Sequence, residues 1–356
     1  MLHRGILFVF AFSIILSATA PAVDASGLKI SAAADIVGDA GLEKAAGATD
    51  RLNIREVEVM LYSPADHLFD GVISLAAHQE GSQAIFEVHE ATLGSTRLIP
   101  RSRFRLGQFF LGVGRLNQIH RHDWPFISAP RVHKEFFDSE GILDTGVEYS
   151  YLLPIPLYLD LTVGITNGWT FGHSHNLAGQ KKPAVPTHYV RAVTFFKLPW
   201  DGGMQVGLNY VGRKAADGTF TTLFGVDATG KWRENQVLTF LLQTEIWHGK
   251  KLANRPNEDA IGFYVYPQCS LGASVYLGVR GDFYQILNLK DVPGNPVSNS
   301  DYALVPTLTY KPSEFSTLRL AYNFGENHQA GALVAKKNFV ELQAVFILGA
   351  HPSHDF

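Results

Sequence analysis

Closely spaced histidines are the side chains of this sequence best suited to chemistry. Imidazoles two residues apart on a strand share one face, and zinc or copper accepts three or four such ligands. The spacing therefore predicts a metal site, with zinc as the candidate cofactor, among His120, His122, His133, His173, His175, His351 and His354. The alternative is that these loop histidines are solvated, or bond carboxylates and backbone carbonyls, because none has the spacing of a recognised zinc motif with cysteine partners.

Motifs of the common enzyme classes do not occur in the sequence. It contains no Gly-x-Ser-x-Gly, no Walker loop, no Rossmann fingerprint and no His-Glu-x-x-His. We therefore expect that the protein is not an enzyme. Its 30 basic and 33 acidic residues give a formal net charge of -3, and so weak a balance favours no nucleic-acid partner.

The elements that position these residues are predicted to be strands, because apolar and polar side chains alternate at period two. Met204, Val206 and Leu208, for example, alternate with Gln205 and Gly207. The rhythm predicts an all-β chain, a transmembrane antiparallel up-and-down β-barrel of about 16 strands (between about 14 and 18). A soluble β-sandwich would show the same alternation. Arginines restricted to the polar face favour the barrel, since an arginine facing lipid at mid-depth costs roughly 2–4 kcal/mol.

Connections of two lengths support the same fold. Short turns containing glycine or proline are predicted at 80–82, 153–156 and 201–203, and long polar loops at 167–187, 248–259, 287–301 and 325–338. Short turns on one rim and long loops on the other are typical of outer-membrane barrels.

The polar face of the strands would line the lumen. Its charged members carry both signs, which predicts weak ion selectivity. The residues expected to line the lumen are Glu56, Glu58, Glu87, His89, Asp160, Arg191, Arg213, Glu245, Arg280, Asp282, Arg319 and Glu341.

The first 25 residues resemble an export signal. Arg4 supplies a positive charge, an apolar run extends from Gly5 to Ala18, and small residues precede a cleavage site after Ala25. The expected domains are a signal peptide at 1–25 and an outer-membrane barrel at 26–356, which places the protein in the outer membrane of a Gram-negative cell. Cys269 is the only cysteine, so no intrachain disulfide is expected.

Two segments resemble a family of proteobacterial outer-membrane proteins. One is His-x-His-x-Trp-Pro-Phe at 120–126, which follows a strand expected at Phe104–Val113. The other is the ending Gly-x-His-x-x-His-x-Phe at 349–356. Members of this family are described as porin-like channels or as zinc-related outer-membrane receptors. The resemblance implies a barrel, a channel and a link to zinc. It also implies that the barrel-assembly machinery is a partner that recognises a terminal aromatic, although the last strand is expected to end near Leu348, before Phe356.

The leading hypothesis is a porin-like passive channel for small polar solutes or ions, with outer-membrane lipid and a homotrimer as expected partners. The alternative is a non-conducting structural or adhesive barrel whose long loops bind a partner. A plugged, energy-coupled receptor is not expected, since only about 26 residues separate Ser26 from the second strand, too few for a folded domain.

Overall fold

Sixteen antiparallel strands form one closed barrel in the computed structural model. The structure describes residues 27–42, 48–80, 83–169, 171, 181–235, 237–252, 258–290 and 294–349. Each strand pairs with its neighbours in sequence, and β1 pairs with β16 from Ser31↔Gly349 to Gly41↔Phe339. The predicted fold class, an all-β up-and-down barrel of about 16 strands, is therefore confirmed.

The strands have the following bounds. The first half of the barrel comprises β1 (Lys29–Gly41), β2 (Arg51–Pro64), β3 (Asp70–Glu80), β4 (Gln83–Ser95), β5 (Ser102–Phe110), β6 (Leu143–Leu152), β7 (Leu159–Thr166) and β8 (Val185–Leu198). The second half comprises β9 (Gly202–Lys214), β10 (Phe220–Glu234), β11 (Val237–Lys250), β12 (Ala260–Ser270), β13 (Val275–Ile286), β14 (Asn299–Ser313), β15 (Ser316–Gln329) and β16 (Ala332–Gly349).

The two faces of the barrel differ in the way the alternation predicts. On the outside, apolar side chains are exposed, for example Leu208 at 58%, Phe224 at 52% and Leu342 at 52%. On the inside, charged side chains such as Glu245 and Arg280 are buried. In β12, where the sequence pattern is ambiguous, Tyr264 and Tyr266 fill the interior while Phe263 and Val265 face outward. The barrel thus has an oily exterior and a polar, partly aromatic interior.

The two rims differ in connection length, with two departures from the prediction. On the rim that holds the start of β1 and the end of β16, the connections are two to six residues long, as between β8 and β9 or β14 and β15. The connection between the end of β3 at Glu80 and the start of β4 at Gln83, where a short turn is predicted, is instead on the opposite rim, and its residues 81–82 lie outside the described part of the chain. The long loop predicted at 325–338 is wrong. Strands β15 and β16 extend through it and meet at a tight turn, where Ala330 and Gly331 both adopt positive φ. Paired turn residues of this kind match the twist of a hairpin.

The connection between β5 and β6 folds into the barrel. We call residues 111–142 the inner segment; it contains two short 3₁₀ turns (Leu116–Gln118 and Arg121–Asp123) and the helix α1 (Arg131–Phe137). The strand predicted at Phe104–Val113 therefore ends earlier, at Phe110, and Leu111 and Val113 are fully buried inside the barrel. Among the residues that the structure describes, no helix is long and apolar enough to cross a membrane.

A charged side chain introduced on the outward face should destabilise the barrel more at mid-strand than near a rim. Leu208 lies at the middle of β9 and faces outward, so Leu208→Arg should destabilise the barrel in lipid by roughly 2–4 kcal/mol. Leu271→Arg, at an exposed turn between β12 and β13, should cost roughly 0–1 kcal/mol. Denaturant titration in lipid vesicles, followed by heat-modifiable electrophoretic mobility, measures both. Equal costs would contradict a lipid-facing exterior.

Candidate functional site

The inner segment is anchored by hydrogen bonds to strands on several sides of the barrel. Glu148 on β6 accepts from the backbone N–H of Gly112 at 3.1 Å, and Glu245 on β11 accepts from the N–H of Leu116 at 2.9 Å. The Ser128 hydroxyl donates to Glu341 on β16 at 3.1 Å. Because its anchors lie on opposite walls, the inner segment crosses the lumen.

One side of the inner segment is apolar. Trp124, Phe126 and Phe137 are fully buried. Phe126 packs against two tyrosines of β12, and Phe137 packs against the tryptophan of β11. The ring of Phe137 meets that of Trp247 edge to face at 4.6 Å between centroids, a favoured aromatic geometry. Gly225 lies beneath Trp247, where a Cβ would come within 2.3 Å of the indole, so only glycine leaves room for the ring. This packing fills the half of the lumen next to strands β8–β13.

The other side of the inner segment carries imidazoles and acids that meet β2, β3 and β4. His120 Nδ1 lies 3.0 Å from Glu58 Oε1, and His120 Nε2 lies 3.2 Å from Glu90 Oε2. We call the set the Glu/His cluster, and it comprises Glu56, Glu58, His78, Glu87, His89, Glu90, His120, His122, Asp123 and Glu140.

Two β-bulges add charged residues to this side of the interior. Between β3 and β4 the register shifts so that Ser74 pairs with Glu90 while Leu75 pairs with Val88, and both His89 and Glu90 reach His120. Between β1 and β2 a similar shift turns Arg55 inward beside Glu56; Arg55 bonds Asp35 and the backbone oxygen of Ile127. A bulge re-aims a side chain that strict alternation would send to the other face.

The electrostatics of the inner segment differ between its two histidine environments. Burial disfavours the charged form of His122, but Asp123 and Glu56 outweigh burial and raise its pKa to about 10. Glu58 and Glu90 likewise raise the pKa of His120 above its usual value, against the effect of burial. For His133, burial beside Trp124 and Phe137 lowers the pKa to about 3, with a further contribution from Arg121. His133 is therefore neutral, whereas the acidic side chains around His120 and His122 favour the protonated form of those two imidazoles.

A polar cavity lies below the inner segment, toward the rim with short turns. Its volume is about 630 Å³, and Gly112, Arg115 and Gln118 of the inner segment form its end. Charges of both signs line it: Asp70, Arg103, Arg105, Arg115, Glu148, Asp160 and Arg191. Most of the arginines face carboxylates, with Arg105 and Glu148 at 2.8 Å and Arg103 and Asp160 at 3.4 Å.

The residues predicted to line the lumen take three positions inside the barrel. Those that meet the inner segment are Glu56, Glu58, His89, Glu245, Arg280 and Glu341. Glu87 contacts the wall histidines His78 and His89 beside them. Asp160 and Arg191 line the polar cavity. The rest bond to the wall or a loop: Asp282 pairs with Arg280, Arg319 donates to Gln343, and Arg213 donates to the backbone oxygen of Gly168.

The predicted metal ligands separate into groups. His120 and His122 join the Glu/His cluster, whereas His133 lies in the aromatic packing behind Trp124. His173, His175, His351 and His354 lie outside the described residues. Sequence reasoning missed His78, Glu90 and Glu140. His78 lies two residues beyond the buried Ala76 on β3, so the period-two alternation places it on the inward face and could have identified it.

Comparisons with known proteins find one similar sequence and several solved structures of similar fold. No family model matches the chain. An uncharacterized protein of Aquifex aeolicus is 26% identical over 337 residues, covering 85% of this chain and 70% of that protein. Similar solved structures include the outer membrane channel DcaP of Acinetobacter baumannii, with 12% identity, TM-score 0.60, and coverage of 90% of this chain and 96% of that one.

Two further solved structures are similar over nearly their whole length. The anion-selective porin from Comamonas acidovorans has 10% identity and TM-score 0.59, with 91% of this chain and 99% of that one covered. OmpT, an outer membrane protein of Vibrio cholerae in a trimer form, has 11% identity and TM-score 0.57, with 90% and 99% covered. At these identities the likeness is one of fold.

The neutral, buried state of His133 predicts acid sensitivity of the inner segment. Folded His133 stays neutral down to about pH 3, while an unfolded histidine takes up a proton near pH 6.5, so stability is lost as pH falls below 6.5. At pH 5 the loss amounts to about 2 kcal/mol.

The matched variant His133→Leu keeps a similar volume and removes the titration. Its melting temperature in detergent should fall less between pH 7.5 and pH 5 than that of the unaltered protein. Equal falls would show that His133 is not the source of the acid sensitivity.

Proposed function

We propose that the protein is a passive channel of the outer membrane of a Gram-negative bacterium, in which the inner segment narrows the path for ions and small polar solutes. One observation carries the proposal: a closed barrel with an apolar exterior holds a charged cavity that leads to an inward-folded segment. In lipid every backbone group must be paired, and a closed barrel meets that demand.

The proposed location rests on the exterior and on the likeness to barrels described as an outer membrane channel and as a porin. Under this proposal residues 1–25 act as a cleaved export signal, and the rim with short turns faces the periplasm, as in other outer-membrane barrels.

The proposed route follows the charged wall of strands β4–β9. Aromatic side chains block the apolar side of the inner segment, so solutes would pass on its polar side. There Arg105, Arg115 and Glu148 line the end of the cavity. Lining groups of both signs weaken discrimination between cations and anions. Four arginines against three carboxylates give the cavity a small excess of positive charge.

A homotrimer is part of the proposal. An apolar groove of about 360 Å³ on the outer surface runs across β1, β2 and β14–β16, with Ile36, Leu308, Leu320 and Leu342 among its lining residues. Large exposed apolar patches mark contact with lipid or protein, and OmpT of Vibrio cholerae has a trimer form. Chemical cross-linking in native outer membranes should give a three-chain product, and a single-chain product alone would contradict the trimer.

The second candidate is a non-conducting barrel that acts through its loops. It is favoured by the anchors of the inner segment on opposite walls, which leave it little freedom to move aside. The two candidates make opposite predictions in a planar bilayer.

Reconstituted protein should give stable ohmic conductance steps in planar bilayers, with weak ion selectivity. Protein that passes the folding test of heat-modifiable mobility yet gives no conductance would overturn the channel and leave the non-conducting barrel.

The charge balance of the cavity gives a sharper test. Arg103 lines the cavity and is 53% exposed there, so Arg103→Glu should shift the reversal potential in a salt gradient toward cation preference. Arg233→Glu makes the same charge change at an exposed position near the same rim, away from the cavity lining, and should leave the reversal potential unchanged. Equal shifts in both variants would place the ion path elsewhere.

A further inference from the structure

Imidazole and carboxylate atoms converge inside the barrel where the inner segment meets strands β2–β4. Among the described residues, three overlapping groups have ligand atoms within 4.8 Å of one another. The groups are Glu56 with His78, His89 and Glu140; Glu58 with His89 and His120; and Glu56 with Glu58 and His122. Side chains from the wall and from the inner segment thus share one small volume.

Two carboxylate oxygens in this volume accept no hydrogen bond from any described residue. Glu56 and Glu58 are 3% and 2% exposed, and no hydrogen bond from the described part of the chain reaches Glu56 Oε1 or Glu58 Oε2. The nearest imidazole nitrogen, His122 Nδ1, lies 3.6 Å from Glu56 Oε1 and 3.5 Å from Glu58 Oε2, too far for a good hydrogen bond. Because burying a carboxylate oxygen without a hydrogen bond is costly, these two oxygens favour a positive charge beside them.

The charges within the cluster also favour an added positive charge. Six carboxylates belong to it, those of Glu56, Glu58, Glu87, Glu90, Asp123 and Glu140. Guanidinium groups beside them include Arg105, 3.8 Å from Glu90, and Arg121, 3.1 Å from Glu140. With neutral imidazoles, the buried carboxylates of Glu56 and Glu58 would hold two negative charges close together. Either protons on the histidines or a metal ion can supply the missing positive charge.

We propose that Glu58, His89 and His120 bind one divalent transition-metal ion of the zinc class, with Glu56 and His122 beside it. Glu58 Oε1 lies 3.0 Å from His120 Nδ1 and 3.9 Å from His89 Nδ1. Tetrahedral zinc with bonds of about 2.0–2.1 Å to nitrogen and oxygen separates its ligand atoms by about 3.3 Å, so these spacings bracket the required one.

The ligand set defines the class of ion. Two imidazoles and a carboxylate suit zinc, copper(II), nickel or iron(II), whereas calcium and magnesium prefer oxygen ligands. Thiolate-seeking ions are disfavoured, because the one cysteine, Cys269, is exposed on β12. Three protein ligands leave one position for water.

The site would join two parts of the protein. Glu58 and His89 belong to the wall, and His120 belongs to the inner segment, so the bound ion ties the inner segment to strands β2 and β4. In the proposed channel the position of the inner segment sets the width of the path, so an ion that fixes this position would affect conduction. This effect on conduction rests on the proposed function, whereas the site itself does not.

The test is zinc binding by the folded barrel in detergent. Chelator-treated protein is titrated with zinc sulfate by calorimetry, and its metal content is measured by mass spectrometry after dialysis. Cobalt(II) absorption then reports whether the site is tetrahedral. One zinc per chain is expected, with affinity reduced at least about tenfold in Glu58→Gln and in His120→Gln.

The matched control is His328→Gln. His328 also faces a glutamate, Glu326 at 3.7 Å, but lies on β15 outside the cluster, so its loss should leave zinc binding unchanged. His120→Gln alters the inner segment and no strand, so it keeps the test available if Glu58→Gln fails to fold.

Three results would overturn the site: no zinc binding by folded protein, full affinity in His120→Gln, or equal loss in the His328→Gln control. The first would mean that protonated imidazoles satisfy the carboxylates. Binding and conductance are separate measurements. A barrel that binds zinc without conducting would overturn the channel alone, and one that conducts without binding zinc would overturn the site alone.

Discussion

Pairing between the first and last strands is the constraint on which the rest of the structure depends. The eleven residue pairs from Ser31↔Gly349 to Gly41↔Phe339 leave no open edge among the sixteen strands. An open edge in lipid would expose unpaired N–H and C=O groups, each at a cost of several kcal/mol. Closure also limits the width of the interior. The inner segment folded into it therefore contacts strands on several sides of the barrel.

The interior is divided by the two faces of the inner segment. Its aromatic face packs on β11–β13, and this apolar packing stabilises the segment without directional bonds. Its polar face carries His120 and His122 toward Glu56 and Glu58, where stability depends on matched charges. The structure therefore combines a hydrophobic attachment on one side with an electrostatic attachment on the other side.

The fold could be predicted from the sequence because period-two alternation is a local property of each strand. The inward positions of Glu56, Glu58 and Glu245 follow from that alternation. Arg55 and Glu90 could not be predicted, because bulges change the count of residues between paired strands and leave no mark in the alternation itself.

The inner segment was missed for a different reason. Residues 111–113 continue the apolar pattern of β5, and the contacts that hold them inside join residues far apart in the sequence. Leu116 bonds Glu245 across 129 positions, and Ser128 bonds Glu341 across 213. Only the closed barrel brings such partners together.

Those sequence separations have a consequence for how the protein is made. The hydrogen bond from Leu116 has no acceptor until β11 exists, and that from Ser128 has none until β16 exists. Until those strands exist, Trp124 and the apolar side of α1 have no native surface to cover them. Contacts of such long range form late and slowly, and exposed apolar surface promotes aggregation meanwhile. The interior of such a chain cannot be completed before its final strand is in place.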